Sequence, residues 1–404
     1  MKKIITILLF VFFASSIYAQ SINLNQGNIA QKEYLQKIPY RNINGKLFVP
    51  VDINGKTYNF VFDTGAPLVI SHKLYQELNP KIIGKKNVED ASGRKKEMTF
   101  ISLPVLNLQE ITFIDTPGFV THEASSDYID AFDCFEIDGI IGSNMLRNSV
   151  VQFDEQNKQI IITNDFKNLT KKDTVYRYQK MKLSSQQSNP FIKIGLQKDK
   201  QRAFERVLFD TGDAAFYTMS TGAYNWFNKQ KDIVSKIAES EGSFGWSVHG
   251  WDNKQNHLLL HVSELHLNNQ TTFNDVVVTT THGPSRIGSK LFQYGKVTLD
   301  YKKKRFYFES FDNTGTNKLS EGPWSILPTW QNDKPVVGII WDKALESQIN
   351  LGDEILSVDG IDTRSFSPCD LANFKNSSKE KRILELRDIN TEEIKTVEIR
   401  RIVQ

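Results

Sequence analysis

The fold of this chain is decided by one short stretch, Phe60-Val61-Phe62-Asp63-Thr64-Gly65-Ala66. A near copy, Val207-Leu208-Phe209-Asp210-Thr211-Gly212-Asp213, follows 147 positions later. In each copy an apolar run ends in an acid, a hydroxyl residue and a glycine. An ionised carboxylate beside apolar sequence is costly to bury unless a partner stabilises it. A turn explains one such acid, whereas two in matching settings predict two carboxylates that meet across a duplicated fold.

Each copy is followed by a second shared element, a short segment that ends in Ile-Gly. It reads Ile140-Ile141-Gly142 in the first half and Arg286-Ile287-Gly288 in the second, at nearly equal distances from the two motifs. This ordered set resembles the bilobal aspartic proteases of the pepsin and retropepsin group. The resemblance covers about residues 40 to 308. It implies a mainly β fold with two lobes and few short helices.

The resemblance also implies a role for each motif residue. Asp63 and Asp210 would be the catalytic pair, which shares one proton because two neighbouring carboxylates cannot both ionise cheaply. An activated water would attack the peptide bond, so no cofactor or metal is expected. The threonines would lock the two loops together, and the glycines would allow their close approach. These four supporting residues are Thr64, Gly65, Thr211 and Gly212.

Asp213 departs from the family pattern, because a small or hydroxyl residue is common at its position. If its side chain faced the catalytic pair, its charge would raise their pKa values. Alternatively it would point to solvent or cap a following helix, as aspartate does well. We expect the cap.

Local signals place a few further elements. Asn54-Gly55 between alternating apolar residues predicts a hairpin, Ser71 to Leu78 a short helix, and Ser220 to Ala238 a longer one. A second hairpin with its tip at Ser92-Gly93 would be the flap over the cleft. The segment that contains Trp246 and Trp251 would be a second flap or substrate-gripping loop, with a buried hairpin as the alternative.

The last part of the chain resembles a PDZ domain, an α+β unit over residues 320–404. The resemblance is carried by Leu351-Gly352-Asp353-Glu354-Ile355-Leu356-Ser357-Val358-Asp359-Gly360. PDZ domains bind extended peptides by strand addition, which makes Gly322, Trp324 and Ile326 candidate peptide-binding residues. Pro323 cannot donate an N–H in this loop, which argues against capture of a chain terminus.

The N-terminus indicates export. Two lysines, an apolar run and a small-residue site after Ala19 read as a signal peptide over residues 1–19. The expected location is periplasmic or secreted, and no membrane span is expected after its removal. The predicted lobes cover residues 20–165 and 174–311, before the 320–404 unit. Because the second motif repeats the first within one chain, a monomer can assemble the site.

Charge and cysteine content exclude some partners and chemistries. The mature chain is nearly charge-balanced, which gives no electrostatic reason to expect nucleic acid. Cys134 and Cys369 fall in different predicted domains, so we expect two free thiols. His257, His261 and His266 could suggest a metal, but no acid completes a known zinc motif, so no metal site is predicted.

Two functions remain open. The first is an exported aspartic endopeptidase that cleaves peptides or proteins, with the PDZ-like unit assisting substrate or partner binding. The second is a non-catalytic peptide-binding protein that keeps the bilobal cleft. Two intact Asp-Thr-Gly motifs favour the endopeptidase, since a binding cleft alone would tolerate loss of either acid.

Overall fold

The computed structural model describes residues 22–89, 95–122, 131–171, 175–243, 246–247, 250–251, 254–268, 270–312, 315–319, 322–374 and 379–402. The chain is mainly β with few short helices, as predicted. Four larger sheets carry the architecture: one formed by each half of the protease-like region, a base sheet shared by both halves, and a C-terminal sheet. Within these described ranges, no helix is long and apolar enough to cross a membrane.

The first sheet has nine strands. In spatial order they are Asn28–Ile29, Ile111–Val120, Leu68–Ile70, Gly139–Gly142, Lys56–Asp63, Lys46–Ile53, Lys95–Leu108 and Lys81–Glu89, with Arg41–Ile43 paired to Lys46–Ile53. The hairpin predicted at Asn54-Gly55 is present, with Ile53 opposite Lys56 and positive φ at both turn residues. Gly139–Gly142 runs parallel to the strand that ends in Asp63.

The second sheet repeats this plan, also with nine strands. In spatial order they are Lys182–Leu183, Pro190–Lys198, Gln201–Phe209, Arg286–Ile287, Tyr217–Ser220, Thr272–Thr281, Gln255–His266 and Val234–Gly242, with Thr316–Lys318 paired to Thr272–Thr281. Arg286–Ile287 runs parallel to the strand that precedes Asp210. The two halves therefore present their Asp-Thr-Gly loops from equivalent places.

The base sheet joins the two halves. Its six strands, in order, are Gln179–Lys180, Arg305–Ser310, Gly295–Asp300, Val150–Asp154, Gln159–Thr163 and Leu35–Pro39. Val150–Asp154 of the first half pairs antiparallel with Gly295–Asp300 of the second. Phe62, Phe153 and Phe209 are fully buried, and Phe153 contacts each of the other two rings edge to face. One apolar core thus continues beneath both loops.

Helices are short and few. The α-helices are His72–Leu78, Ala131–Cys134, Ser143–Leu146, Thr221–Lys231 and Pro368–Phe374, and the 3-10 helices are Phe166–Leu169, Ser289–Gln293 and Lys343–Ser347. The first begins after Ser71, whose hydroxyl accepts from Leu74, and ends at left-handed Asn79. The helix predicted from Ser220 to Ala238 is wrong in its second part, because Val234–Gly242 is a strand with alternating burial.

The C-terminal sheet contains Ile326–Gln331, Lys334–Ile340, Glu354–Val358, Lys381–Arg387 and Ile394–Arg400, with Ile361–Asp362 paired to Glu354–Val358. It packs on the second half through Ala238, Leu259, Ile339 and Trp341. Backbone contact is close there, since the Ser243 N–H donates to the Gly338 carbonyl over 3.2 Å.

The two cysteines form a disulfide, so the prediction of free thiols was wrong. Cys134 ends the helix Ala131–Cys134, and Cys369 lies in the helix Pro368–Phe374. Distance along the sequence hid this pairing, because the fold brings the two helices together. The C-terminal unit is therefore bonded covalently to the first half and packed against the second.

Candidate active site

The two Asp-Thr-Gly loops meet between the halves. Asp63 is the last residue of its strand, and Asp210 directly follows the matching strand in the second half. The Asp210 amide donates to Ile287, and Gly142 is in register with Asp63. The Ile-Gly segments thus hold both aspartates from the neighbouring strand.

The threonines bind the loops to each other by a reciprocal set of hydrogen bonds. The Thr64 N–H donates to the Thr211 hydroxyl (3.0 Å), and the Thr211 N–H donates to the Thr64 hydroxyl (3.1 Å). Each hydroxyl donates in turn to the opposite half, Thr64 to Phe209 O (2.6 Å) and Thr211 to Phe62 O (2.8 Å). Both side chains are fully buried. This arrangement leaves no buried donor or acceptor of either hydroxyl unpaired.

The motif glycines allow each loop to touch the opposite carboxyl group. A Cβ on Gly65 would lie 2.5 Å from the Asp210 carboxyl carbon, and a Cβ on Gly212 would lie 2.2 Å from Asp63 Oδ2. Any side chain at either position would push the carboxylates apart. The glycine requirement is therefore steric and concerns the aspartates directly.

The surroundings of the two carboxyl groups differ. Asp63 Oδ1 accepts from the N–H groups of Gly65 (2.7 Å) and Ala66 (3.2 Å). Asp210 Oδ1 accepts from the N–H group of Gly212 (2.9 Å). Burial and then the neighbouring Asp63 charge raise the pKa of Asp210 well above its ordinary value. The raised pKa favours the protonated form of Asp210.

Asp213 does not cap a helix, and that prediction was wrong. Its carboxylate accepts from Arg286 Nε (2.5 Å), the Ala215 N–H (2.8 Å) and the Thr218 hydroxyl (3.2 Å), and the chain continues into the strand Tyr217–Ser220. Burial would raise the pKa of Asp213, but the Arg286 charge and these hydrogen bonds hold it below its ordinary value. Asp213 raises the pKa of Asp210, while Arg286 lowers it.

Two further residues hold the loops and were missed from the sequence. Lys46 of the first half donates to the Gly212 carbonyl, and Asn189 of the second donates to the Gly65 carbonyl over 2.6 Å. Each lies just before or at the start of the hairpin that leads to its own aspartate. That repeated position was the only signal in the sequence, and the two residue types differ. The first loop thus accepts from a neutral amide, and the second from a cation.

Of the two predicted flap segments, the described residues include only the strands on either side of the first and part of the second. Ser92 and Gly93 lie outside the described residues; the strands before and after them pair, with Glu89 opposite Lys95. Trp246 pairs with Trp251 in a small antiparallel ribbon above the strands Val234–Gly242 and Gln255–His266. The position is that of a hairpin, and the choice between flap and buried hairpin stays a prediction.

The C-terminal candidates lie beside the last strand. A Cβ on Gly322 would lie 1.8 Å from the Ile402 carbonyl oxygen, and the Ser325 N–H donates to Arg400. Trp324 and Ile326 are buried and border a small apolar cavity of about 60 Å³, whose far wall includes Leu371. The Ser325 N–H is thus already bonded within the protein, and Pro323 has no N–H, so neither amide can bind the carboxylate of a peptide terminus.

Other sites add little to this picture. No group of three or more metal-ligating side chains occurs among the residues with described positions. His261 contacts Asp275 (3.3 Å), and His266 contacts Glu264 (3.1 Å). A cavity of about 1060 Å³ on the first half is bordered by residues such as Tyr40, Tyr58 and His72, and by neither motif. This large cavity therefore does not lie at the Asp63–Asp210 pair.

Part of the first half matches a known protein family. Residues 49–145 match the family model described as aspartyl protease. The matched segment holds Asp63 and the first Ile-Gly segment. It ends well before Asp210. A comparison with curated proteins found no match.

Several solved structures are similar at low identity. The aspartic proteinase from Irpex lacteus is 11% identical, covering 70% of this chain and 98% of that one, with a TM-score of 0.41. Conglutin gamma, a basic 7S globulin from lupine seeds, is 10% identical over 70% and 96%, with a TM-score of 0.42. A retropepsin-like aspartic protease from Rickettsia conorii is 14% identical over 34% and 94%, with a TM-score of 0.24. At these values the likeness adds nothing to the argument from the site.

Proposed function

We propose that this protein is an exported aspartic endopeptidase that uses Asp63 and Asp210 to hydrolyse peptide bonds in peptides or proteins. One observation carries the proposal: the two motif loops come from separate halves and are bonded to each other, so that each motif glycine lies against the carboxyl group of the opposite aspartate. A pair that shares one proton supplies both a base and an acid at the same place.

The contacts of the two carboxyl groups support a choice of starting roles. Asp63, whose Oδ1 accepts from two backbone N–H groups, acts as the base in this scheme. It takes a proton from a water, and the oxygen of that water attacks the scissile carbonyl. Asp210, protonated because burial and the Asp63 charge raise its pKa, donates to the carbonyl oxygen as the tetrahedral intermediate forms. As the C–N bond breaks, Asp63 gives its new proton to the leaving amine and Asp210 takes a proton from a hydroxyl of the intermediate, which restores the pair.

Export is supported by two independent observations. Residues 1–19 read as a signal peptide, and Cys134 is disulfide-bonded to Cys369. Disulfides persist in oxidising compartments and are rare in the cytosol. A periplasmic or extracellular location fits both.

A role for the C-terminal unit follows from its attachment. We assign residues 320–404 to a PDZ-like fold that assists substrate or partner binding, as a unit fixed to both halves of the protease region. The alternative function, peptide binding without cleavage, would need the same cleft. It has no use for the unequal stabilisation of the two carboxyl groups.

Hydrolysis of an unfolded protein pool between acid and neutral pH tests the proposal. Asp63→Asn and Asp210→Asn should each lower the rate about 10³-fold or more, and a statine-type transition-state mimic should inhibit the unmodified chain. Thr218→Ser, which keeps its hydroxyl near Asp213, is the matched control and should retain activity. Peptides that bind but stay intact at every pH would instead establish the binding protein.

A further inference from the structure

An open groove on the outer face of the second sheet is lined by cations and aromatic rings. Its volume is about 620 Å³, within the range of ligand sites. The strand register explains its shape: Gly195 lies between Phe204 on one neighbouring strand and His266 on the other. Because Gly195 has no side chain, the groove is deepest between Phe204 and His266. The Arg202 guanidinium lies across the groove above Gly195.

The cations of this groove are held in place by the rings. Lys193 Nζ is 3.7 Å from the centre of the Phe204 ring, and the Arg202 guanidinium is 5.1 Å from it. The Arg305 guanidinium lies 4.2 Å above the Tyr178 ring beside the groove. Phe204 and Tyr178 are about half exposed, at 52% and 47%. A cation fixed over a ring has already lost part of its rotamer freedom, so an anion can bind it at lower entropic cost.

The charges of this face are unbalanced. Lys193 lies directly opposite Arg206 on the neighbouring strand, and like charges in that position destabilise a sheet. Among the described residues, no carboxylate forms an ion pair with Lys193, Arg206 or Arg177, and none lines the groove. Glu264, which lies two residues before His266 on the strand Gln255–His266, contacts that histidine. No ion pair of Lys193 or Arg206 with a described carboxylate offsets their repulsion. Such a cost to stability is expected where the two residues serve to bind a ligand.

The rings also narrow the class of ligand. Single-stranded nucleic acids bind by stacking bases on exposed aromatic faces, but here Lys193 already lies over the Phe204 ring and Arg305 over the Tyr178 ring. The groove therefore offers charge rather than a stacking platform. Carboxylates spaced along an extended chain suit several cations distributed over neighbouring strands.

We propose that this groove binds an acidic polypeptide segment, at a site separate from the Asp63–Asp210 pair. Phe204 precedes Asp210 by six residues on one strand, which corresponds to about 20 Å. A peptide that occupies both sites must therefore carry its acidic segment at least about six residues away from the bond in the cleft. The groove would select substrates or partners by a feature remote from the cleaved bond.

The test measures binding of fluorescein-labelled hexaglutamate to the full chain carrying Asp210→Asn, so that cleavage plays no part. Lys193→Glu should weaken binding at least tenfold, and Arg206→Glu should do the same. Lys200→Glu, an equal charge change at an exposed position outside the groove, should change it less than twofold. Binding should also weaken as salt is raised.

A stability measurement separates this role from a structural one. Lys193→Glu replaces a repulsive cross-strand pair by an attractive one, so the unfolding midpoint should stay the same or rise while binding is lost. Equal weakening by Lys193→Glu and Lys200→Glu would overturn the proposal, since it would reflect general attraction. Equally tight binding of a single-stranded oligonucleotide or sulfated oligosaccharide that Lys193→Glu abolishes would overturn the ligand class.

Discussion

Asp63 and Asp210 sit in near-identical loops, yet their neighbours make them unequal. Asp63 accepts two loop N–H groups, whereas Asp210 is close to a second charged pair, Asp213 and Arg286. Because the raised pKa of Asp210 keeps the shared proton in place, activity should extend above the ordinary range of a carboxylic acid. The proton is lost as pH rises through that pKa, which sets the alkaline limit of activity.

The Asp213–Arg286 pair gives a prediction for this limit. Asp213→Asn removes a negative charge that raises the pKa of Asp210 and leaves the Arg286 charge that lowers it. The alkaline limb of the pH–rate profile should therefore move to lower pH. In Asp213→Asn/Arg286→Gln both charges are gone. Since Arg286 has the larger influence, this limb should then lie slightly above that of the unmodified enzyme.

Folding must be checked alongside these profiles. The Arg286 and Asp213 side chains are only 15% and 16% exposed, so loss of the carboxylate leaves a largely buried cation and could cost up to about 3 kcal/mol. The double variant avoids that cost and serves as the control. An unchanged profile in a folded Asp213→Asn enzyme would show that the pair does not tune the aspartates.

At the residue level the sequence carried the motif but not its partners. The roles of the motif aspartates, threonines and glycines could be predicted, because each contacts the other copy of the motif and both copies are visible in the sequence. Arg286 stood in the second Ile-Gly segment, yet its pairing with Asp213 depends on where an adjacent strand aims its side chain. The sequence gives the position of Arg286 but not the orientation of its side chain.

At the scale of elements, local rules worked where a turn or cap fixes the backbone. Asn54-Gly55 formed its hairpin, and Ser71 and Asn79 bounded their helix. The error over residues 234–238 arose because this segment contains helix-tolerant residues such as Lys236 and Ala238. Pairing along Gln255–His266 overrides that preference.

The strand Lys334–Ile340 gives a prediction at this scale. A Cβ on Gly338 would lie 2.2 Å from the Ser243 carbonyl oxygen and 2.7 Å from Thr329 Cβ. Gly338→Ala should therefore separate the C-terminal sheet from the strand Val234–Gly242 and cost about 1 to 3 kcal/mol. Hydrogen exchange should become faster at the Ser243 amide, which now donates to Gly338.

Gly222→Ala is the matched control for that change. Its added Cβ would have only the Ser220 hydroxyl nearby, at 3.9 Å, and alanine is favoured within a helix. Its stability should stay level or rise. If Gly338→Ala leaves exchange at Ser243 as slow as in the unmodified protein, the two sheets are not held by this contact.

At the scale of the whole molecule, the duplicated halves were readable because each repeats the same ordered motifs. The placement of the C-terminal unit was not readable. It depends on Cys134 and Cys369, 235 positions apart, and on a backbone approach between glycines that no local pattern signals. The two cysteines seemed unrelated because their predicted domains differ, yet an exported chain provides the oxidising setting in which such a link persists.

This link leads to the last prediction. Closing a loop of this length restricts the unfolded chain strongly, so its removal should cost about 2 to 5 kcal/mol. Cys134→Ser/Cys369→Ser should therefore unfold at lower urea, and a dithiol reductant should shift the unmodified protein to the same midpoint without affecting the double variant. Alkylation of the unfolded, non-reduced protein should add no label. Two labelled thiols in protein recovered from the exported fraction would contradict the disulfide. The C-terminal unit would then be held by its contacts with the second half, which include the packing of Ile339 and Trp341 and the Ser243–Gly338 hydrogen bond.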